Sequence, residues 1–325
     1  MSAPLLSLEG FGLDLCVDGD YRTVIHTVDL SVERGQAVGL VGESGSGKSM
    51  TARSVLRLTP RGARTRGAVL FDGVPVPEPD TPALRTFRST EIAMIFQDPR
   101  AHINPVRSIG DFLTEGLVNA RGVPRKPAEA KVVGLLREVG IADAERRMRQ
   151  HPHELSGGLL QRVMIAAALA AEPKLLLADE PTTALDVTTQ AEVMAIIDEA
   201  RAERGLAMLF ITHDLELAAA VCDRVAVMYA GLLVEELPAD ALHGRSAHPY
   251  TRALLASRPG IGERGATLRA IPGRPLSAFE VDAGCAFAPR CPQAQEICHS
   301  RQPSRELAGE GSAACLFPVT EDSNV

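Results

Sequence analysis

The stretch AVGLVGESGSGKSMTA, residues 37–52, decides the fold. Val38, Leu40 and Val41 form a short apolar run that predicts a buried strand, Gly42 to Gly47 a loop, and Lys48 and Ser49 the opening of a helix. The spacing is Gly-x4-Gly-Lys-Ser, and strand, loop and helix in that order set it apart from a Gly/Ser-rich turn with a chance lysine. Glycines suit such a loop because backbone N–H groups must turn inward around a phosphate without interference from Cβ, and the helix N-terminus adds partial positive charge. Gly42, Glu43, Ser44, Gly45, Ser46 and Gly47, with Met50 in the first helical turn, are the expected nucleotide contacts. Lys48 would neutralise β- and γ-phosphates, and Ser49 would ligate Mg2+.

The surrounding composition limits what such a loop can serve. The chain has 325 residues, enough for a main domain of roughly 200–250 residues and an appendage. A hydrophobic content of 45% with 23% charged residues predicts a globular chain with a large core. The longest apolar run, VMIAAALAA at 163–171, ends at Glu172, short of the roughly 18 residues that would span a bilayer. The opening MSAPLLSLEG lacks the basic segment and long apolar run of a secretory signal, so the expected location is the cytoplasm. A net charge of -7 and only 4% aromatic residues argue against a nucleic-acid surface, which needs clustered cations and stacking platforms.

A second acidic element follows in KLLLADEP, 174–181. Leu175 to Ala178 predict a buried strand delivering Asp179 and Glu180 at its carboxyl end, where open α/β sheets bind ligands. Asp179 would orient Mg2+ through water and Glu180 would polarise an attacking water. Taken alone, such a strand end also fits a helix cap or a surface pair. Just upstream, HELSGGLLQRVMIAAALA (153–170) opens a second helix through Ser156, Gly157 and Gly158, another terminus suited to a phosphate. Two anion sites on one chain imply that one of them serves a neighbour.

This stretch resembles the signature motif of ATP-binding cassette (ABC) ATPases, in which each subunit closes its signature over the ATP held by the other. The motif order agrees: FQDP places Gln97 at the Q-loop, TTALD places Asp186 at the D-loop, and ITHD places His213 at the switch position. The resemblance covers about residues 5–240. It implies an α/β ABC-type P-loop core with an antiparallel β-subdomain, ATP and Mg2+ as cofactors, and Glu180, His213 and Gln97 as the catalytic set, with Gln97 and Ser49 on Mg2+. Ser156 and Gly158 would meet the neighbour's γ-phosphate. The fifth signature position, commonly Gln, is Leu159 here, with Gln161 two residues on. Tyr21, about twenty residues before the loop, is the candidate for stacking on adenine; an exposed loop tyrosine is the alternative.

Between Gln97 and Ser156, GDFLTEGLVNA and AEAKVVGLLREVGI carry helical spacing, with breaks at Gly122, Pro124 and Pro127. This predicts a helical subdomain at about 98–170, similar to the one that receives membrane partners in ABC transporters. RAHINPVRSIG (100–110) would form its docking rim, or an ordinary loop. Residues 5–35 read as alternating strands.

Beyond about residue 240 Pro, Gly and Arg become frequent, which divides the chain into a nucleotide-binding domain at 1–240 and an extension at 241–325. AHPYTRALLASRP and LRAIPGRPL resemble the C-terminal extension of the dipeptide and oligopeptide importer ATPases, an irregular, Cys-rich segment. In CAFAPRCPQAQEIC (285–298) and beyond, Cys285, Cys291, Cys298 and Cys315 follow the spacing Cys-x5-Cys-x6-Cys-x16-Cys, looser than a zinc ribbon. The resemblance implies a [4Fe-4S] cluster on these four; zinc and free thiols are the alternatives. Cys16 and Cys222 lie in apolar segments and are expected in the core. The implied partners are a paralogous second ATPase subunit, two transmembrane permease subunits and an extracytoplasmic solute-binding protein, which places the chain at the cytoplasmic face of the membrane. Di- or oligopeptides are the implied cargo, with nickel chelates or glutathione-like solutes as alternatives. A soluble ABC ATPase of DNA repair or translation would normally carry two cassettes or a long coiled coil, and neither is present in the sequence.

Overall fold

Every side chain of the run at 37–41 is apolar or absent, so a strand there is stable only with both faces covered. In the computed structural model Ala37–Val41 is buried throughout. It pairs in parallel with Arg224–Tyr229, from Val38↔Arg224 to Val41↔Val227. The structure describes residues 3–183, 185–257 and 270–319. Ala184 of TTALD, Arg258 and Pro259 of AHPYTRALLASRP, and Leu268 and Arg269 of LRAIPGRPL lie outside the described residues.

The chain divides into two compact units. One comprises Leu6–Ser31, Ala37–Pro75 and Ile211–Val325. Its strands lie in the order Val74–Pro75, Arg64–Phe71, Leu6–Val17, Asp20–Val32, Leu232–Pro238, Arg224–Tyr229, Ala37–Val41. Leu6–Val17 and Arg64–Phe71 are antiparallel, with Leu6 opposite Phe71 and Asp14 opposite Arg64, as the alternation at 5–35 leads one to expect. Alternation also explains a correction. Cys222 is buried, but Cys16 is exposed, because it sits near the end of its strand where the inward-facing series of apolar residues has stopped.

The segment after residue 240 is built onto this sheet. Leu232–Pro238 pairs with Asp20–Val32 only at Leu232↔Thr27. Further along, it pairs with the short strand Gly311–Ala313 through Glu235↔Ala313 and Glu236↔Ser312. The Glu235 carboxylate, itself 2% exposed, accepts from the backbone N–H groups of Ala247 and His248 and so fixes the start of the helix Pro249–Ala256. Tyr229, Tyr250 and Phe287 then pack edge and tilt against one another, with ring centroids 4.6–5.5 Å apart.

The other unit comprises Met1–Leu5, Val32–Gln36 and Val76–Phe210. Ile92–Ile95 and Leu175–Asp179 pair in parallel, from Ile92↔Leu175 to Ile95↔Ala178, and Ala207–Thr212 follows Leu175–Asp179 in the sheet order. Helices Ile109–Glu115, Arg125–Glu138 and Gly157–Ala170 carry Leu113, Val132, Leu136, Leu160 and Ile165 into one buried layer. The helix at 157–170 is apolar nearly all round, which suits a helix covered on most of its surface. Pro127 is not a break: the helix begins at Arg125, and a proline in the first turn removes an N–H that has no intrahelical acceptor. A single π turn, Gly116–Ala120, continues the helix Ile109–Glu115. No helix among the described residues is long and apolar enough to cross a membrane.

Candidate functional site

The loop after Ala37–Val41 is shaped by its glycines. Gly42 has φ 153°, and a Cβ there would lie 2.1 Å from the carbonyl oxygen of Met228, so no other residue fits. Lys48 opens the helix Lys48–Val55 and is only 4% exposed. Its Nζ donates to the carbonyl oxygens of Gly42 at 2.8 Å and Glu43 at 2.9 Å, spanning the loop from inside. Ser46 anchors the loop from the other side, its carbonyl accepting from Gly231 N–H at 2.9 Å. Ser44 and Gly45 remain exposed at the mouth, while Ser49 and Met50 are half-buried in the first turn. The result is a concave backbone cradle with a buried ammonium, which fits a polyphosphate.

In the same unit Tyr21 is 43% exposed, and the Arg64 guanidinium stacks 3.5 Å from its ring centroid. One ring face is thus covered by a cation. His213 is exposed directly after the strand Ala207–Thr212. Asp214 beyond it caps the helix Leu215–Val221.

The other unit assembles the acidic residues. Asp179 ends its strand fully buried. Glu180 follows with φ 46°, a left-handed conformation that costs a non-glycine residue on the order of 1–3 kcal/mol and tends to persist at functional sites. Its Oε2 accepts from Gln97 Nε2 at 3.1 Å and from Thr183 Oγ1 at 2.7 Å. The structure therefore brings Gln97 and Glu180 together across 83 positions of sequence. Thr183 carries no motif signal in the sequence beyond its place three residues after the glutamate.

Ser156 caps the helix Gly157–Ala170, its Oγ accepting from Leu159 N–H at 3.3 Å. Ser156 and Gly157 are exposed. A Cβ on Gly158 would lie 2.9 Å from Cγ2 of Thr189, so a side chain there would force that threonine to shift. Asp186 caps that helix, Val187–Arg204. Its carboxylate accepts from Thr189 Oγ1 at 2.7 Å and from the N–H groups of Thr188 and Thr189 at 3.1 Å, which holds its pKa below the usual value.

Cys285, Cys291, Cys298 and Cys315 all line one cavity, together with His248 and Phe287. Burial pushes the thiols of Cys285 and Cys291 upward and that of Cys315 to about 11. Opposing that, backbone N–H groups two residues on are directed at three sulfurs: Phe287 at Cys285, Gln293 at Cys291 and Phe317 at Cys315. Such donors favour thiolates. His248, 1% exposed and neutral with its pKa pushed down to about 4 by burial, accepts from Tyr250 N–H at Nδ1. Among the described residues no group of three His, Cys, Asp or Glu side chains is placed to hold a single metal ion.

Comparison with known proteins identifies the family. The family model for ABC transporters matches residues 25–183, and that for the oligopeptide/dipeptide transporter C-terminal region matches residues 234–298. The oligopeptide transport ATP-binding protein OppD of Salmonella typhimurium is 41% identical over 304 residues, covering 94% of this chain and 90% of that protein. OppD of Escherichia coli is 42% identical over 304 residues, with the same coverage of 94% and 90%. Among solved structures, the dimeric bacterial ABC transporter cassette MJ0796 superposes with a TM-score of 0.65 at 26% identity, over 72% of this chain and 98% of that one. The cassette cbiO1 of Clostridium perfringens gives a TM-score of 0.62 at 27% identity, over 74% of this chain and 90% of that one. The 41% identity to OppD over 94% of this chain, with the two matched regions, places the chain in the ABC transporter ATP-binding protein family, in the branch that carries the oligopeptide/dipeptide transporter C-terminal region.

Proposed function

We propose that the chain is the ATP-binding and hydrolysing subunit of a membrane importer of di- or oligopeptides. The observation that carries this reading is the combination of a phosphate cradle with a buried Lys48 and a tail of the oligopeptide-transporter type. In this reading residues 1–240 bind nucleotide, with a helical insert at about 98–170, and residues 241–325 form the branch-specific extension.

The proposed residue roles are those that the resemblance to ABC ATPases implies. Gly42 to Ser49 wrap the phosphates, Lys48 turns its ammonium from the loop carbonyls to the β- and γ-oxygens, and Tyr21 stacks on adenine. Ser49 and Gln97 would hold Mg2+, with Asp179 acting through water, and the ion would supply positive charge that offsets the phosphates. Glu180 polarises the attacking water as general base, its Oε2 held by Gln97 and Thr183. His213 takes the switch position at the γ-phosphate and Asp186 supports the subunit contact. Ser156, Gly157 and Gly158 close over the nucleotide of a paralogous second ATPase subunit, and that closure transmits nucleotide state to attached elements.

Two permease subunits and an extracytoplasmic solute-binding protein complete the assembly, with this chain peripheral at the cytoplasmic face. The rim at 100–110 and a groove lined by Arg85, Arg88, Phe112, Leu117 and Arg121 are the proposed seat of a permease segment. Its apolar floor and arginine edge suit an amphipathic helix bearing carboxylates. If the assignment holds, ATP hydrolysis by the assembled complex rises when peptide-loaded binding protein is added; a rate indifferent to peptide contradicts it.

The cysteine cavity is assigned to a [4Fe-4S] cluster. Zinc with thiolate bonds near 2.3 Å would draw four sulfurs to about 3.8 Å of one another. The four thiols line one shared cavity, although among the described residues no group of three is placed to hold a single ion; the likeness of the tail to the oligopeptide/dipeptide transporter C-terminal region is what supports a cluster over zinc here. When bound, the group supplies the positive charge that lets buried thiols ionise. Anaerobically purified protein should contain about four irons and four acid-labile sulfides per chain, lost in Cys291→Ser. Stoichiometric zinc or no metal rules the cluster out.

A further inference from the structure

A carboxylate has the wrong charge for a loop that binds phosphates, yet Glu43 is the second residue of this one. The described structure shows what offsets it. Arg290, 6% exposed and 247 positions away in sequence, donates from Nη1 to Glu43 Oε2 at 2.7 Å and from Nη2 to Glu43 Oε1 at 3.2 Å. This is a two-pronged pair of the kind a guanidinium forms best. The guanidinium is itself fixed: Nε donates to the carbonyl oxygen of Pro272 at 2.9 Å, and Nη1 also reaches the Tyr229 hydroxyl at 3.4 Å. From the other side the buried Tyr250 hydroxyl accepts from Glu43 N–H at 3.0 Å. Glu43 is thus held at its carboxylate and at its backbone by two residues of the tail, while its carbonyl holds Lys48.

We propose that Arg290 is a positioning residue that neutralises Glu43, so that the C-terminal extension sets the electrostatics of the phosphate loop. This rests on residues 42–49 being the nucleotide phosphate loop. Without Arg290, a carboxylate in a partly buried loop stands uncompensated beside a polyanion. Like charges at such a site repel strongly because little water screens them. Arg290 also lies in the turn Ala288–Arg290, between Cys285 and Cys291. The residue that quiets the loop therefore shares a turn with Ala288, which lines the cysteine cavity.

The test is ATP affinity of the full-length chain by calorimetry for four proteins: wild type, Arg290→Gln, Glu43→Gln and the double variant. Arg290→Gln is expected to weaken ATP binding about tenfold, a loss of about 1.4 kcal/mol. The double variant should return to within about threefold of wild type, because removing the carboxylate removes the repulsion. A purely structural role of Arg290 would leave the double variant as weak as the single one, and that outcome overturns the proposal, as does an unchanged affinity in Arg290→Gln. If Arg290→Gln fails to fold by thermal melting, Glu43→Gln decides alone: it should bind ATP tighter, and equal or weaker binding overturns the proposal. Absence of ATP binding in the wild type would instead sink the nucleotide reading, so the two failures are distinct.

Discussion

Replacing Glu180 with glutamine is expected to lower ATP turnover by about 10²- to 10⁴-fold while leaving ATP bound. The amide keeps the volume of the side chain and can still accept from Gln97 and Thr183, whose donors lie 3.1 and 2.7 Å from Oε2. What it loses is the basicity that draws a proton from water. The strained φ of 46° at this position is kept in the variant, so the local backbone should not change. The assay uses assembled transporter whose second ATPase carries the corresponding substitution, so that only this chain's glutamate varies. Single-site turnover equal to that of unmodified Glu180 would remove it from the role of base.

Lys48→Ala is expected to act earlier, on binding. The ammonium is almost wholly buried and held by two loop carbonyls, which is a position it can occupy only if the loop is wrapped around it. Truncating a buried, charge-assisted contact typically costs about 2–5 kcal/mol, so ATP affinity should fall on the order of 10²- to 10³-fold. Equilibrium binding of ATP to the full-length chain checks this. A change of less than about fivefold would be too small for a residue placed against the phosphates.

Much of this site can be read from local sequence, for a physical reason. Strand, loop and helix at 37–52 are fixed by neighbours a few positions apart: an apolar run, glycines with no Cβ to clash, and a helix start. The Ser156 cap and the buried strand Leu175–Asp179 follow from equally short-range patterns. Cys16 shows where such patterns stop, since an apolar neighbourhood does not say on which side of a strand a side chain points. Pro127 shows the same limit, because a proline reads as a break whether it precedes a helix or sits in its first turn.

The contacts between distant segments carry no local trace. Arg290 looks like one more arginine in an irregular tail until the fold sets it on Glu43, and Tyr250 looks like part of a short helix until its hydroxyl meets the same residue. The four cysteines are a partial exception. Their spacing leaves cluster, zinc and free thiol open, and the fold adds only that all four line one cavity.

The most direct test of the central claim is ATP-driven uptake of a labelled oligopeptide into vesicles. These hold the two permeases, the second ATPase subunit and this chain, with binding protein on the side from which peptide enters. The account predicts uptake that needs ATP on the side of this chain and is lost with Glu180→Gln. Uptake that persists undiminished in that variant, or proceeds without this chain, would contradict it.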